Sequence, residues 1–373
     1  MVSYIYKIEG GEIMKGYKYR IFPTDEQKIL IDKTINCCRY VWNGFLALKE
    51  FRYNEFGETM NYNTMSKLLT EVKKVDDFLQ EVDSTALQQT LKQLDNTYKM
   101  FFKKICRYPR FKSKKNPKDS YKSTGIKING NQIVIPKVGK VDYAKSRDIG
   151  GRILSATISK TPTNKYFVSF TVDEDVKHLP KTDKEVGIDL GLKTFAVCSD
   201  GQEFKSPKPM WKYIARLKKL QRKLSKKKSK NSNRYKKLKL RIALLHERIT
   251  NIRKDFLHKL STKLIQENQL ICLEDLHVKG MTKNHKLARA ILDCGFGTFV
   301  EMLKNKANMY GRQIVKIDRW YSSSKTCHKC GAIKRDLTLK DRVYVCAECG
   351  EVIDRDLNAS INILTVGRQF IRG

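Results

Sequence analysis

Four cysteines place the hardest constraint on this chain. Cys327 with Cys330 and Cys346 with Cys349 are two Cys-x2-Cys pairs set fifteen residues apart, each followed at once by glycine, in CHKCG and CAECG. Such a knuckle presents two thiolates from one tight turn, and the glycine lets backbone amides face the sulfurs. The spacing predicts one tetrahedral Zn2+ held by all four, with the intervening KRDLTLKDRVYV folding as one hairpin. Four thiolates leave no coordination position for water or substrate, so this zinc is assigned to folding, and His328 inside the first knuckle is assigned to solvent. The remaining six cysteines, Cys37, Cys38, Cys106, Cys198, Cys272 and Cys294, are scattered and read as small packing residues.

Charge constrains the partner. The chain has 75 Lys and Arg against 39 Asp and Glu, a formal charge of +36, far more than solubility requires. Nucleic acid is the polyanion that such a balance points to. No apolar run reaches the roughly 18 residues a membrane-spanning helix needs, and the start lacks the apolar centre of a signal peptide, so a cytoplasmic location is expected. At 373 residues, 40% of them hydrophobic, the chain has room for two or three domains with cores of their own.

Along the chain, GYKYRIF from Gly16 alternates like a strand, and Thr24 with Gln27 forms a capping box for the helix that follows. Its apolar stripe includes Leu30, Cys37, Val41, Phe45 and Leu48; a second helical block runs from about Thr85 to Ile105 with Leu87, Leu91, Leu94 and Tyr98 as its stripe. Residues 108–123 then read as an extended basic loop, broken by Pro109 and Pro117, with Tyr108, Phe111 and Tyr121 available to stack on bases. Two hairpins follow, turning at Asn129–Asn131 and at Pro162–Asn164, and with the first strand they suggest a small β-barrel interrupted by helices. From Lys184 the order is strand, hairpin at Asp200–Gly201, a long basic helical pair over 211–254, a strand at Gln269–Asp275, a helix around Arg289–Tyr310, and a strand at Gln313–Ile317.

Within that second half, carboxylates stand where elements begin or end: Asp189 in VGIDLG, Glu274 in LICLEDL, and Asp354 and Asp356 in EVIDRDLNAS. A central strand, a later parallel strand and a final helix in this order suit acids that converge at one edge of a sheet. Converging carboxylates repel one another, and divalent cations relieve the repulsion. Mg2+ fits best, and two such ions about 4 Å apart would activate water and stabilise the departing oxygen of a phosphodiester. Spacing leaves the choice between Asp354 and Asp356 open.

The stretches MKGYKYRIFPTDEQ, YPRFKSKK, VGIDLGLKTFAV, ICLEDL, YGRQIVKIDRWYSSSKTCHKCG and CGEVIDRDLNASINIL, spread in order over nearly the whole chain, resemble the transposon-encoded TnpB/OrfB proteins, compact relatives of type V CRISPR effector nucleases. The resemblance implies an OB-like, wedge-type β-barrel over residues 1–24 and 107–180, with a helical recognition lobe inserted over 25–106. It then implies a RuvC-like domain of the RNase H fold over 181–324 and 350–373, carrying a zinc-binding insertion over 325–349. Relatives tend to begin near Met14, so residues 1–13 are read as an upstream start or an extension. The implied activity is metal-dependent, RNA-guided cleavage of double-stranded DNA beside a short flanking motif. The guide RNA derives from the mobile element, the protein is a monomer on it and associates with the nucleoid, and two Mg2+, replaceable by Mn2+, serve the site. Asp189, Glu274 and Asp356 take the catalytic and magnesium-binding positions, the last because Asp356-Leu357-Asn358-Ala359 matches the D-x-N-A pattern. Ser360, and Tyr321-Ser322 in place of Tyr-Pro, are mild departures. An unguided RuvC-like resolvase or transposase-type nuclease, and a non-cleaving DNA-binding repressor, are the alternatives. The second is disfavoured by the presence of all three acids.

Overall fold

A computed structural model describes residues 14–114, 119–175, 178–338 and 341–372. The segment read as an extension, residues 1–13, and part of the basic loop lie outside them. The chain forms two compact units that divide after Asp175.

The N-terminal unit starts with strand β1 (Met14–Phe22) and helix α1 (Asp25–Phe56). Thr24 caps α1 as its sequence predicts: its hydroxyl accepts from the Gln27 amide, and Gln27 Oε1 accepts from the Thr24 amide. Helices α2 (Tyr62–Val75) and α3 (Ser84–Phe102) follow, and the apolar stripes of the three meet through Leu46, Met65, Leu69, Leu87, Leu91 and Leu94. Six strands complete the unit: β2 (Asp119–Ser123), β3 (Lys127–Asn129), β4 (Gln132–Ile135), β5 (Gly139–Tyr143), β6 (Arg152–Lys160) and β7 (Tyr166–Asp173). They form one curled antiparallel sheet in the order β2-β6-β7-β1-β5-β4-β3, so the first strand does join the later hairpins. Among the described residues no pairing joins the edge strands β2 and β3, which leaves the expected barrel unclosed by hydrogen bonds. Tyr121, on β2, is buried in this core, so it cannot stack on a base as its sequence context suggested.

The C-terminal unit is built on strands β8 (Glu185–Asp189), β9 (Ala196–Cys198), β10 (Glu203–Phe204), β11 (Leu270–Glu274) and β12 (Gln313–Ile317), in the order β10-β9-β8-β11-β12. The three strands β8, β11 and β12 run parallel, while β9 pairs antiparallel with both β8 and β10. Between β10 and β11 stand α4 (Pro209–Ser225) and α5 (Asn233–Glu267). The helical pair therefore breaks where KKKSKNSNR predicted, but α5 runs on well past residue 254. Helices α6 (Val278–Met281), α7 (Ala288–Cys294) and α8 (Phe296–Tyr310) follow; the single helix expected over 289–310 is broken at Gly295. After β12 come a hairpin, β13 (Val343–Val345) with β14 (Val352–Asp354), and the last helix α9 (Arg355–Arg372). The predicted hairpin thus straddles the second knuckle instead of lying between the two. Among the described residues no helix is long and apolar enough to cross a membrane.

Side-chain alternation along the parallel strands sorts two faces. Val186, Ile188, Ile271, Leu273 and Ile314 pack with Leu257, Leu264 and Ile265 of α5 and Phe296, Phe299 and Leu303 of α8. The intervening residues Leu270, Cys272, Val315 and Ile317 pack instead with Ile363 and Leu364 of α9. Two glycines let α9 lie flush on that second face: a β-carbon at Gly187 would meet the Ser360 carbonyl oxygen at 2.1 Å, and one at Gly367 would meet Cys272 Sγ at 2.3 Å. The other buried cysteines, Cys37, Cys38, Cys198, Cys272 and Cys294, are packing residues as expected, and burial pushes the Cys38, Cys198 and Cys272 thiols up to about 12.

Candidate metal centres

The same alternation positions the acids. With Val186 and Ile188 turned towards α5 and α8, Gly187 and Asp189 belong to the α9 face of β8; on β11, Leu270, Cys272 and Glu274 share it. Leu273 pairs with Ile188 in the parallel register, so one step further along both strands Glu274 stands level with Asp189. These are the last residues of their strands. Asp356 enters from the first turn of α9, which Gly187 holds against β8.

Asp189 lies within electrostatic reach of the other two acids. Burial, then the charges of Glu274 and Asp356, push the Asp189 carboxyl up to about 7, with Arg355 opposing. Glu274 is also raised, by burial, against a hydrogen bond donated by the Ser323 hydroxyl. Asp356 is held by Arg355, whose Nη2 and Nε lie 3.0 and 3.2 Å from its Oδ1, and by Arg342 at 3.6 Å from Oδ2. The neighbouring acids do other work. Asp354 caps α9, its Oδ1 accepting from the backbone amides of Asp356 at 2.8 Å and Leu357 at 3.1 Å. Asp275 is paired with Lys316 at 2.9 Å and with Arg319, and the Lys316 hydrogen bond pulls its carboxyl below the usual range.

The cysteines are gathered more tightly. The four Sγ atoms of Cys327, Cys330, Cys346 and Cys349 all lie within 4.8 Å of one another, with Cys327–Cys349 at 3.6 Å and Cys330–Cys346 at 3.5 Å. Four Zn–S bonds of about 2.3 Å in a tetrahedron require sulfurs about 3.8 Å apart, so this donor set fits a metal such as zinc. The hydrogen bond from the Cys349 backbone amide lowers the Cys346 thiol to about 7, as the knuckle glycines anticipate. Among the described residues this is the one group of three or more such ligands so closely gathered; the three acids sit further apart.

One expectation fails. His328 is half-buried, and its backbone amide and Nδ1 lie 3.0 and 3.1 Å from Asn358 Oδ1, so it belongs to the packing of α9 and not to solvent. Sequence reasoning also missed Ser323 and Arg355. Ser323 stands in the serine run before the first knuckle, and Arg355 next to the chosen acid.

Residues 167–285 match a family described as "Probable transposase", OrfB_IS605; residues 296–363 match the Cas12f1-like TNB domain, and residues 13–58 a helix-turn-helix domain of OrfB_IS605. Over 363 residues, 95% of this chain and 90% of the relative, the sequence is 39% identical to the "Putative RNA-guided DNA endonuclease" of Streptomyces pristinaespiralis. This chain belongs to the TnpB/OrfB family. A second relative, "Putative RNA-guided DNA endonuclease InsQ" of Escherichia coli (strain K12), is 30% identical over 96% of this chain and 93% of its own length. The mimivirus TnpB-like protein L79 of Acanthamoeba polyphaga mimivirus is 32% identical over 56% of this chain and 44% of its own length. Among solved structures, the Cas12f1–sgRNA–target DNA complex aligns over 94% of this chain and 99% of the Cas12f1 chain at 16% identity and a TM-score of 0.37. For this TnpB/OrfB member the helix-turn-helix description does not hold in space. Residues 14–22 are a strand, and residues 25–56 one uninterrupted helix.

Proposed function

We propose that this chain is an RNA-guided DNA endonuclease of a mobile element, in which Asp189, Glu274 and Asp356 form the catalytic acids of a RuvC-like site in an RNase H-type fold. The observation that carries the reading is the placement of three acids from distant parts of the chain around one buried carboxyl, Asp189, which burial and then the charges of Glu274 and Asp356 hold up to about 7. Two adjacent parallel strands ending in Asp189 and Glu274, with ligands gathered outside their carboxyl ends, are a usual place for a site in an α/β sheet. The names of the Streptomyces and E. coli relatives support guided cleavage over an unguided resolvase.

The donor set is all oxygen, which suits Mg2+ or Mn2+. When bound, two such cations would supply an activated water and charge neutralisation at the leaving oxygen. The protein's part is positioning. Sheet alternation aims Asp189 and Glu274 at one face, the Asp354 cap fixes the first turn of α9, and Arg355 and Arg342 hold Asp356. Relief of the crowding at Asp189 favours cation binding.

The curled N-terminal sheet with α1–α3 serves as the OB-like wedge and recognition lobe. The basic surface of α4 and α5, where Lys218, Lys219, Arg222 and Lys223 line one shallow cleft and Arg234, Lys237 and Arg241 another, grips phosphates of guide and target. Tyr108 and Phe111, both exposed, stack on unpaired bases. The protein acts as a monomer on its RNA and associates with the nucleoid.

Purification with native RNA, sequencing of that RNA and cleavage of a matching duplex test the reading. Copurifying RNA that directs cutting supports it, and RNA-independent cutting of branched DNA replaces it with the resolvase. Duplex affinity is expected to fall with salt at a log–log slope of about 0.9 per neutralised phosphate. A flat response, read by filter binding, would remove the electrostatic role of α4 and α5.

A further inference from the structure

Between β12 and the first knuckle, a short strap from Ser323 to His328 contacts Glu274, helix α9 and the four-cysteine cluster. At one end the Ser323 hydroxyl donates to the Glu274 carboxylate. At the other, Cys327 is itself a knuckle ligand. Along its length two buried amides of α9 stitch the strap down. Asn358 Nδ2 donates to the Thr326 carbonyl at 2.7 Å, and its Oδ1 receives the His328 amide. Asn362, one turn on, donates to the carbonyls of Ser323 at 2.8 Å and Thr326 at 2.6 Å. Asn358 and Ser323 are almost wholly buried.

Buried amides cost free energy unless each polar atom finds a partner, and an apolar side chain would fill the same space more cheaply. What the amides add is register. Each links a fixed carbonyl or amide on the strap to a fixed position on the helix that begins with Asp356. The strap therefore ties the four-cysteine cluster to two acids at once, to Glu274 through a hydroxyl and to Asp356 through the placement of α9.

Resting on the nuclease reading above, we propose that Ser323 and Asn358 are positioning residues that couple the four-cysteine cluster to the acidic site, so that an ordered knuckle raises that site's affinity for divalent cation. Groups that orient metal ligands from outside commonly change metal affinity or activity by 10- to 100-fold when removed.

The test uses the full chain with its RNA and Mn2+ alone as probe, with binding followed by electron paramagnetic resonance and cleavage followed as rate against Mn2+ concentration. Ser323→Ala and Asn358→Ala are expected to weaken Mn2+ binding about tenfold while four-thiolate zinc content and RNA binding stay intact. Ser323→Thr, which keeps the hydroxyl, is expected to restore affinity to within about threefold. Removing the knuckle metal from the wild-type protein is expected to weaken Mn2+ binding to the same extent. Unchanged Mn2+ affinity in Ser323→Ala, or failure of Ser323→Thr to restore it, overturns the coupling. If Asn358→Ala does not fold, Ser323→Ala, which deletes a single oxygen, carries the decision. Asp189→Ala is the control: if it keeps both Mn2+ binding and cutting, the nuclease reading falls, whereas its loss alongside an unaffected Ser323→Ala sinks only the coupling.

Discussion

The chain gathers anionic ligands in two places by opposite means. At the knuckles, two turns close in sequence bring four thiols within 4.8 Å of one another, the second turn between the strands of a short hairpin. At the sheet edge, three carboxylates arrive from positions 189, 274 and 356, stay further apart, and are each held by a separate partner: neighbouring strands, Ser323, and Arg355 with Arg342. A closed cluster saturates a metal and serves the fold. A looser one, on the function proposed above, leaves coordination room for water and substrate, and it is built on scaffold elements that other forces must keep in place.

The strongest way to break this contrast is to remove an acid. Asp189→Ala, Glu274→Ala and Asp356→Ala should each lower single-turnover cleavage by about a thousandfold, with nucleic-acid affinity and zinc content unchanged; retained cutting in any one removes it from the site. Next in size is the knuckle. Cys346→Ser, or treatment with a strong chelator, should release the metal and expose the backbone around the knuckles to hydrogen exchange, because the core packed there is small, with Leu337, Tyr344 and Ile353 gathered around the cysteines themselves. Protection that survives complete metal loss would show that packing alone suffices there.

The third test reaches the scaffold. Gly187→Ala sets a methyl group 2.1 Å from the Ser360 carbonyl oxygen, and backbone against backbone cannot yield by a rotamer change. A loss of about 3 kcal/mol in denaturant unfolding is expected, near the top of the range for overpacking, together with weaker cleavage as α9 lifts. The smallest effect concerns charge. Since the Asp189 carboxyl is raised to about 7, the folded chain keeps a proton that the unfolded chain gives up near pH 4. That contribution to stability is complete below about pH 4 and is lost as pH rises through 7. Asp189→Asn should therefore stabilise the protein in chelator at pH 8 by roughly 1–2 kcal/mol, discounted because the residue is partly open to solvent although its carboxyl is enclosed, and do nothing at pH 4. Equal unfolding curves at pH 8 would mean that neither burial nor the neighbouring acids disfavour the ionised Asp189 carboxylate.

These tests also separate what one sequence discloses from what it withholds. The knuckles are legible because their constraint is local: spacing within one turn determines which sulfurs meet. Asp189 and Glu274 are legible as acids at strand ends, but their meeting depends on a register between segments some eighty residues apart, and Asp356 was chosen over Asp354 by resemblance. In the structure Asp354 caps α9. The close approach at Gly187, the hydroxyl of Ser323 and the capture of His328 by Asn358 were illegible, since each exists only once α9 lies on the sheet. Tyr121 misled because its loop-like, basic neighbours hid a strand facing the core. The continuation of α5 was missed because the basic run thins out near residue 254, although Leu257, Leu260 and Leu264 carry the apolar stripe onward.

That helix has a mechanical meaning. With 35 residues it is a rod of about 52 Å, its first half clamped to α4 through Leu245 and Ile249 and its second half wedged beneath β8 and β11. One continuous helix thus joins the packing around α4 to the face of the sheet opposite α9, so a displacement of its outer end is carried along its axis to the strands that end in Asp189 and Glu274.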